Sequence, residues 1–175
     1  MRSRNPRKLT DEGALYDYAI AALGRRMRSV AELKRLLRRR VSEDPGEQMI
    51  ERVVARLKEH KYLNDADYAS AYSSFRRDNE KLGKMRVISE LKARGVHGDV
   101  IEQAVGAAYS ETNEEQLARD FLRRKRVAAP GDQRSAARVF RMMLRAGFTA
   151  RVSIRILKTW NVDDEMLSQL ESDHE

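Results

Sequence analysis

The sequence predicts an all-α protein of three tandem three-helix repeats, and three observations carry that prediction. The first is composition. The chain has 175 residues, of which 35% are charged and only 6% aromatic, with 9 Gly and 3 Pro to punctuate turns. Such a chain favours many modest helices over one large core or a sheet broken by tight turns. The second is self-similarity at a spacing of about 50 residues, inside the range of repeat arrays. The third is a set of helix start and stop signals that falls at matching places in each copy.

The copies align helix by helix. In the first helix Ala19, Ala69 and Ala118 correspond, each preceded by Tyr18, Tyr68 or Leu117, and Ala22, Tyr72 and Phe121 follow three positions later. That spacing places each pair on one helical face. In the second helix Leu33, Ile88 and Phe140 correspond, as do Leu36, Leu91 and Met143, ahead of the endings RRRV, ARGV and RAGF. Gly95 and Gly147 suit left-handed helix ends, with Val96 and Phe148 folding back as apolar contacts. Arg40 stands in that place in the first copy, so its turn must differ. The third helix recurs as IERVV (Ile50–Val54), IEQAV (Ile101–Val105) and, more loosely, VSIRIL (Val152–Leu157).

Helix starts are predicted at Thr10, Ser29 and Thr112, with SVAE and TNEE fitting the capping box. Further starts are predicted at Asp44–Pro45, with Glu47 in the first turn, and at Asp65 and Thr149. RVAAPGDQ (Arg126–Gln133) is the longest breaker and reads as a loop inside the third copy. The predicted organisation is a flexible start at 1–10, repeats at 11–63, 64–111 and 112–162, and an acidic end at 163–175. Each three-helix unit is too small to be very stable alone.

Charge is the main functional signal. The formal net charge is +8, with no Asp or Glu from Gln133 to Val162 and no Lys or Arg from Asp163 on. Helical geometry sorts these cations. Lys34, Arg35, Arg38 and Arg39 fall on one face, opposite Val30, Leu33, Leu36 and Leu37. Arg134, Arg138, Arg141 and Arg145 form one stripe, opposite Val139, Phe140, Met143 and Leu144. Arg151, Arg155 and Lys158 carry positive charge onto the next helix, and Lys84 and Arg86 open the second helix of the middle copy. Arginine stripes of one sign suit phosphates or acidic protein surfaces. Aromatic residues are sparse within the stripes, so base stacking is not expected there. Tyr62, Tyr68, Tyr72, Phe75 and Phe121 are expected to pack in cores, with Trp160 sealing the last one. The acidic end can form a short helix through Met166, Leu167 and Leu170; it is expected to be solvated, with packing on the basic face as an autoinhibitory cover as the alternative.

No enzyme is expected. His60, His97 and His174 do not form a metal-ligand spacing, LGK lacks a phosphate-binding glycine loop, and there is no cysteine. No catalytic residue, cofactor or metal ligand is expected. Asp65 and Asp67 suit a helix N-terminus better than acid–base chemistry. The opening MRSRNPRKLTDEG lacks the apolar core of a secretory signal, and no segment is apolar enough for a membrane span. A cytoplasmic monomer is the expectation.

The stretch YLNDADYA (Tyr62–Ala69) resembles the link between the first and second repeats of the RecX regulators of bacterial recombination. The likeness continues through GKMRVISELKARGV (Gly83–Val96) and IEQAV. ALYDYAIAALGRRMRSVAELKRLL (Ala14–Leu37) resembles the family's opening, so the likeness runs in order to about Trp160 and is weakest in the third copy. RRRV, without its glycine, and the acidic end depart from the family pattern. The resemblance implies an elongated, curved module of three-helix repeats that binds the RecA recombinase filament on single-stranded DNA. It implies inhibition of ATPase, filament growth and strand exchange in recombination and the SOS response, with the cations named above as contact candidates. A helical module that binds DNA or RNA directly, without the recombinase, is the competing reading; weak direct DNA contact is compatible with either.

Overall fold

The computed structural model describes residues 8–42, 46–163, 165, 167 and 168. The Asp44–Pro45 helix start, His174 and most of the acidic end lie outside the described residues. Among the described residues there is no strand, and nine helices follow one another: α1 (Glu12–Arg25), α2 (Val30–Arg38), α3 (Gly46–Glu59), α4 (Asp65–Asp78), α5 (Lys84–Ala93), α6 (Gly98–Tyr109), α7 (Glu114–Arg124), α8 (Gln133–Arg145) and α9 (Ala150–Thr159). None is long and apolar enough to cross a membrane.

Packing divides these helices into two units that cut through the middle triplet. One holds the residues up to Ala69 together with Leu91–Val100; the other holds Ser70–Glu90 and the residues from Ile101 on. In the first unit α3 packs on α1 and α2, and Leu15, Ala19, Leu33, Leu37, Ile50, Val53 and Leu57 are fully buried. In the second, α9 packs on α7 and α8 around Ala118, Phe121, Leu122, Phe140, Met143, Ile156 and Leu157. The repeated alanine column is wholly buried at Ala19, Ala69 and Ala118, which lets neighbouring backbones approach.

The register within the second helices differs from expectation. The sequence aligns Leu36 with Leu91 and Leu33 with Ile88, yet Leu36 and Ile88 are only half-buried. The fully buried pairs are Leu33 with Leu37 and Val87 with Leu91. Each pair is spaced i, i+4, so each aims at one point of the core.

Ser29 caps α2 with both halves of the capping box: its Oγ accepts from Glu32 N–H at 3.1 Å and Glu32 accepts from Ser29 N–H at 3.2 Å. Thr149 caps α9. Three predicted caps are off by one residue. Asp11, not Thr10, accepts from Ala14 N–H at 2.8 Å, and Asn113, not Thr112, accepts from Gln116 N–H at 2.9 Å. Thr112 is occupied closing the preceding turn, its N–H donating to Tyr109 C=O at 3.1 Å. At α4 the cap is Asn64, which accepts from Ala66 N–H at 2.8 Å, while Asp65 reaches Val30 N–H at 2.8 Å. Asp65 thus satisfies one of the orphan donors opening α2. The Arg126–Asp132 segment is a loop, as predicted, with Gln133 already in α8.

Six helix ends among the described residues close through a left-handed residue. Two are the predicted glycines, Gly95 (φ 77°) and Gly147 (φ 90°); four are Lys61, Lys81, Arg126 and Asn161, with φ between 54° and 59°. In each, the next residue's N–H returns to a carbonyl of the last helical turn, from Tyr62 to Leu57 at 2.9 Å through Val162 to Leu157 at 3.4 Å. Side chains tolerate this conformation at a modest cost.

The two glycines are needed for a second reason. Gly147 lies so close to the start of α5 that an added Cβ would stand 2.2 Å from Arg86 N, and one on Gly83 would stand 2.3 Å from Gly147 O. Gly83 N–H donates to Ala146 C=O at 2.8 Å and Met85 N–H to Gly147 C=O at 3.3 Å. The C-terminal carbonyls of α8 therefore meet the N-terminal amides of α5. Gly95 makes a close approach in the first unit, but to side chains: an added Cβ would lie 2.5 Å from Ala31 Cβ, and Ser29 Oγ donates to Arg94 C=O at 2.6 Å.

Gly147→Ala is expected to destabilise the protein by about 2 kcal/mol or more, from backbone strain and collision together. Gly106→Ala, in α6 with nothing within 4 Å of the added methyl, is expected to stabilise by about 0.5–1 kcal/mol. Urea unfolding followed by circular dichroism checks both, and the opposite signs are the expected result.

Candidate functional site

Helix α8 is the most amphipathic element of the chain. Asp132 caps it, accepting from Ser135 N–H at 2.7 Å, and Ala136, Val139, Phe140 and Met143 bury its inner face. That orientation leaves Arg134, Arg138, Arg141 and Arg145 exposed, and no salt bridge among the described residues engages any of them. Four guanidinium groups at i, i+4, i+7 and i+11 then form one outward row. Arg151 on α9 is likewise exposed with no salt bridge among the described residues, and Lys158 is exposed. Arg155 is not available in the same way, because it donates to Glu115 at 3.1 Å and holds that carboxyl below its usual range.

The α2 face differs from expectation. Its cations point outward, but Glu47 and Glu51 of α3 meet two of them. Arg38 makes a forked contact to Glu47 with Nε at 3.0 Å and Nη2 at 2.6 Å, and Lys34 Nζ sits 2.7 Å from Glu51. The Arg38 hydrogen bond lowers the Glu47 pKa. Arg35 and Arg39 are exposed and have no salt bridge among the described residues. The acids responsible lie 9 and 17 residues along the chain, so inspection of α2 alone could not reveal them.

On α5, Lys84 is exposed, while Arg86 is drawn into a network with α4. Arg86 Nε donates to Glu90 at 2.8 Å; Tyr72 Oη and Arg76 Nε donate to the other carboxylate oxygen at 2.7 and 2.8 Å. Burial pushes the Glu90 pKa up, but the hydrogen bonds from Tyr72 and Arg76 outweigh it and hold the group below its ordinary value. The second unit thus gathers the α8 row, the α9 cations, Lys84 and Arg86, whereas Lys34, Arg35, Arg38 and Arg39 belong to the first.

Several candidates escaped the sequence reading. Arg124, Lys125 and Arg126 are exposed at the end of α7. Lys125, Arg126 and Arg138 rim a groove of about 420 Å³ floored by Val127, Val139 and Met142. The run RRKR was the available signal. Tyr62 and Phe75, expected in cores, are 60% and 53% exposed, because each falls on the outer side of its turn or helix. Tyr68 and Phe121 are buried as expected, and Trp160 packs against the last core. Leu167 is 2% exposed within that core, so this part of the acidic end is anchored, not solvated.

Among the described residues no group of three or more His, Asp or Glu side chains is placed to hold a metal ion. What the surface offers is directional positive charge. Guanidinium groups on a rigid helix present paired N–H donors to phosphate or carboxylate oxygens without first breaking an internal ion pair.

Replacing Glu90 by Gln tests the network beneath this surface. Because the folded pKa is depressed, the stabilisation is complete above the ordinary value of 4.5 and disappears as pH falls through the folded value. Glu90→Gln is expected to cost about 1–3 kcal/mol at pH 7. It should also flatten the loss of urea resistance below about pH 4.5.

The comparisons follow this geometry. Residues 64–105 match the family model described as RecX, second three-helix domain. The chain is 36% identical over 152 residues to the regulatory protein RecX of Deinococcus radiodurans, covering 86% of this chain and 71% of that one. It is 31% identical over 139 residues to that of Mycolicibacterium vanbaalenii, covering 75% and 74%. The crystal structure of RecX from Lactobacillus salivarius superposes with a TM-score of 0.68 at 19% identity, over 87% of this chain and 99% of that one; this likeness concerns the fold.

Proposed function

Since the chain belongs to the RecX family of regulatory proteins, we propose that it binds the RecA recombinase filament on single-stranded DNA. There it restrains ATP hydrolysis, filament growth and strand exchange, acting by occupancy and not by catalysis. The observation carrying this reading is the arginine row of α8, which has no salt bridge among the described residues, supported by Arg151 and Lys84. A nucleoprotein filament presents phosphates and protein carboxylates, and both accept paired N–H donors. Helical repeats, which we place at 11–63, 64–111 and 112–162, supply a surface able to contact neighbouring recombinase subunits. Binding one arrangement of those subunits better than another opposes the movements that hydrolysis needs.

The contacts are weighted toward the third repeat. Lys34 and Arg38 already have carboxylate partners, so a ligand there must compete with an internal salt bridge. Among the described residues no carboxylate forms a salt bridge with Arg134, Arg138, Arg141 or Arg145.

The test is a recombinase ATPase titration on single-stranded DNA. Joint replacement of Arg138, Arg141 and Arg145 by Glu is expected to abolish inhibition while helical content by circular dichroism stays unchanged. Inhibition that survives in this folded variant rejects the assignment. Arg38→Ala is expected to weaken inhibition by less than about threefold, as a paired surface cation contributes little. Direct nucleic-acid binding without the recombinase is favoured by the uniform sign of the α8 surface. Tight, steeply salt-dependent binding to naked duplex would select it.

A further inference from the structure

Tyr62 is the exception among the six left-handed helix ends. The residue after the left-handed position normally folds back onto its helix. Val96 and Phe148 do so and are 6% and 3% exposed, and Leu82, Val127 and Val162 are half-buried. Tyr62 occupies the same position after Lys61 (φ 59°), with the same return hydrogen bond, yet is 60% exposed. Its backbone is held as firmly as the others, while its ring stands out in solvent. The His60 ring lies against it, with centroids 6.4 Å apart.

The surroundings are cationic and apolar. A groove of about 120 Å³ beside the ring is lined by Met27, Arg28, Lys61, Asn64 and Asp67, among others. Met27 is 55% exposed. Arg28 Nε is buried without a hydrogen-bond partner, and Arg28 is among the residues lining the groove. Arg25, Arg26, Arg28 and Lys61 have no salt bridge among the described residues. The one carboxylate in the groove, Asp67, is engaged by Asn64 Nδ2 at 2.8 Å.

We infer that this face of the first unit is a single-strand nucleic-acid contact, in which Tyr62 stacks on one unpaired base and Arg28 and Lys61 take the adjoining phosphates. An exposed ring braced on a rigid turn covers a base face at little entropic cost, and flanking cations follow the backbone. A duplex cannot use it, because its bases are already stacked on one another. The inference goes beyond the proposed regulation and does not rest on it, since the α8 row lies in the other unit.

The experiment measures binding of the full chain to a labelled short oligothymidylate and to a duplex of equal length, without recombinase, across a salt series. Tyr62→Ala is expected to weaken single-strand binding by about tenfold, with an unchanged salt slope and no effect on duplex binding. Tyr62→Phe should stay within about twofold, since the ring and not the hydroxyl is at work. Lys61→Ala should reduce the salt slope by about one. Variants with Glu at Arg138, Arg141 and Arg145, run in parallel, should retain the Tyr62-dependent component even if inhibition is lost. Unchanged oligothymidylate binding by Tyr62→Ala, or an equal loss on duplex, overturns the inference. So does a Tyr62→Ala defect seen only with recombinase present, which would assign the face to a protein contact.

Discussion

Everything else in the fold depends on how the ends of the helices are satisfied. Nine short helices leave many orphan amides and carbonyls, and a repeat protein must bury several of them where helices meet. The solution is direct: carbonyls closing α8 face amides opening α5, and the end of α5 meets the start of α2 through Ser29. Where α8 meets α5 the backbones lie within van der Waals reach of each other, and an added Cβ at Gly83 or Gly147 would collide with the other segment. The missing glycine at Arg40 then has a physical reason. The end of α2 is met by the segment ahead of α1 and not by another helix's glycine turn, with Leu9 N–H donating to Arg40 C=O at 2.6 Å and Lys8 Nζ to Val41 C=O at 2.7 Å.

The same rigid placement decides which cations are free. Helix α3 carries Glu47 and Glu51 toward α2, whereas α9 brings only Arg and Lys toward α8. Two stripes that look equivalent in sequence therefore differ in what they can offer. An exposed pair such as Arg38–Glu47 adds little stability, but it changes what a ligand must displace. The α8 row keeps its charge because the chain from Gln133 to Val162 contains no acid at all.

Much of this was legible beforehand, for identifiable reasons. The alignment of Ala19, Ala69 and Ala118 marked one face of the first helix in each copy because the i, i+3 spacing is local, and all three are buried. Ser29 with Glu32 announced a capping box because both partners lie within one turn. Gly95 and Gly147 announced left-handed ends. The failures were equally specific. Lys61, Lys81, Arg126 and Asn161 close helices without glycine, since a single side chain can bear that conformation when the return hydrogen bond and packing hold it. Thr10 and Thr112 lost their caps to a neighbouring Asp and Asn whose side chains reach the same amides.

Sequence alone determined the properties that depend on neighbours along the chain: helical periodicity, the repeated triplet, the sign and facing of the α8 stripe, and membership of the family. Tertiary structure decided the properties that depend on residues brought together from a distance. It neutralised Lys34 and Arg38, drew Arg86 into the Glu90 network, buried Leu167 and left Tyr62 exposed. A helix's periodicity specifies which of its side chains point outward. Whether an outward side chain meets a carboxylate, a core or water is set by the helices packed beside it, and that information is not local in the chain.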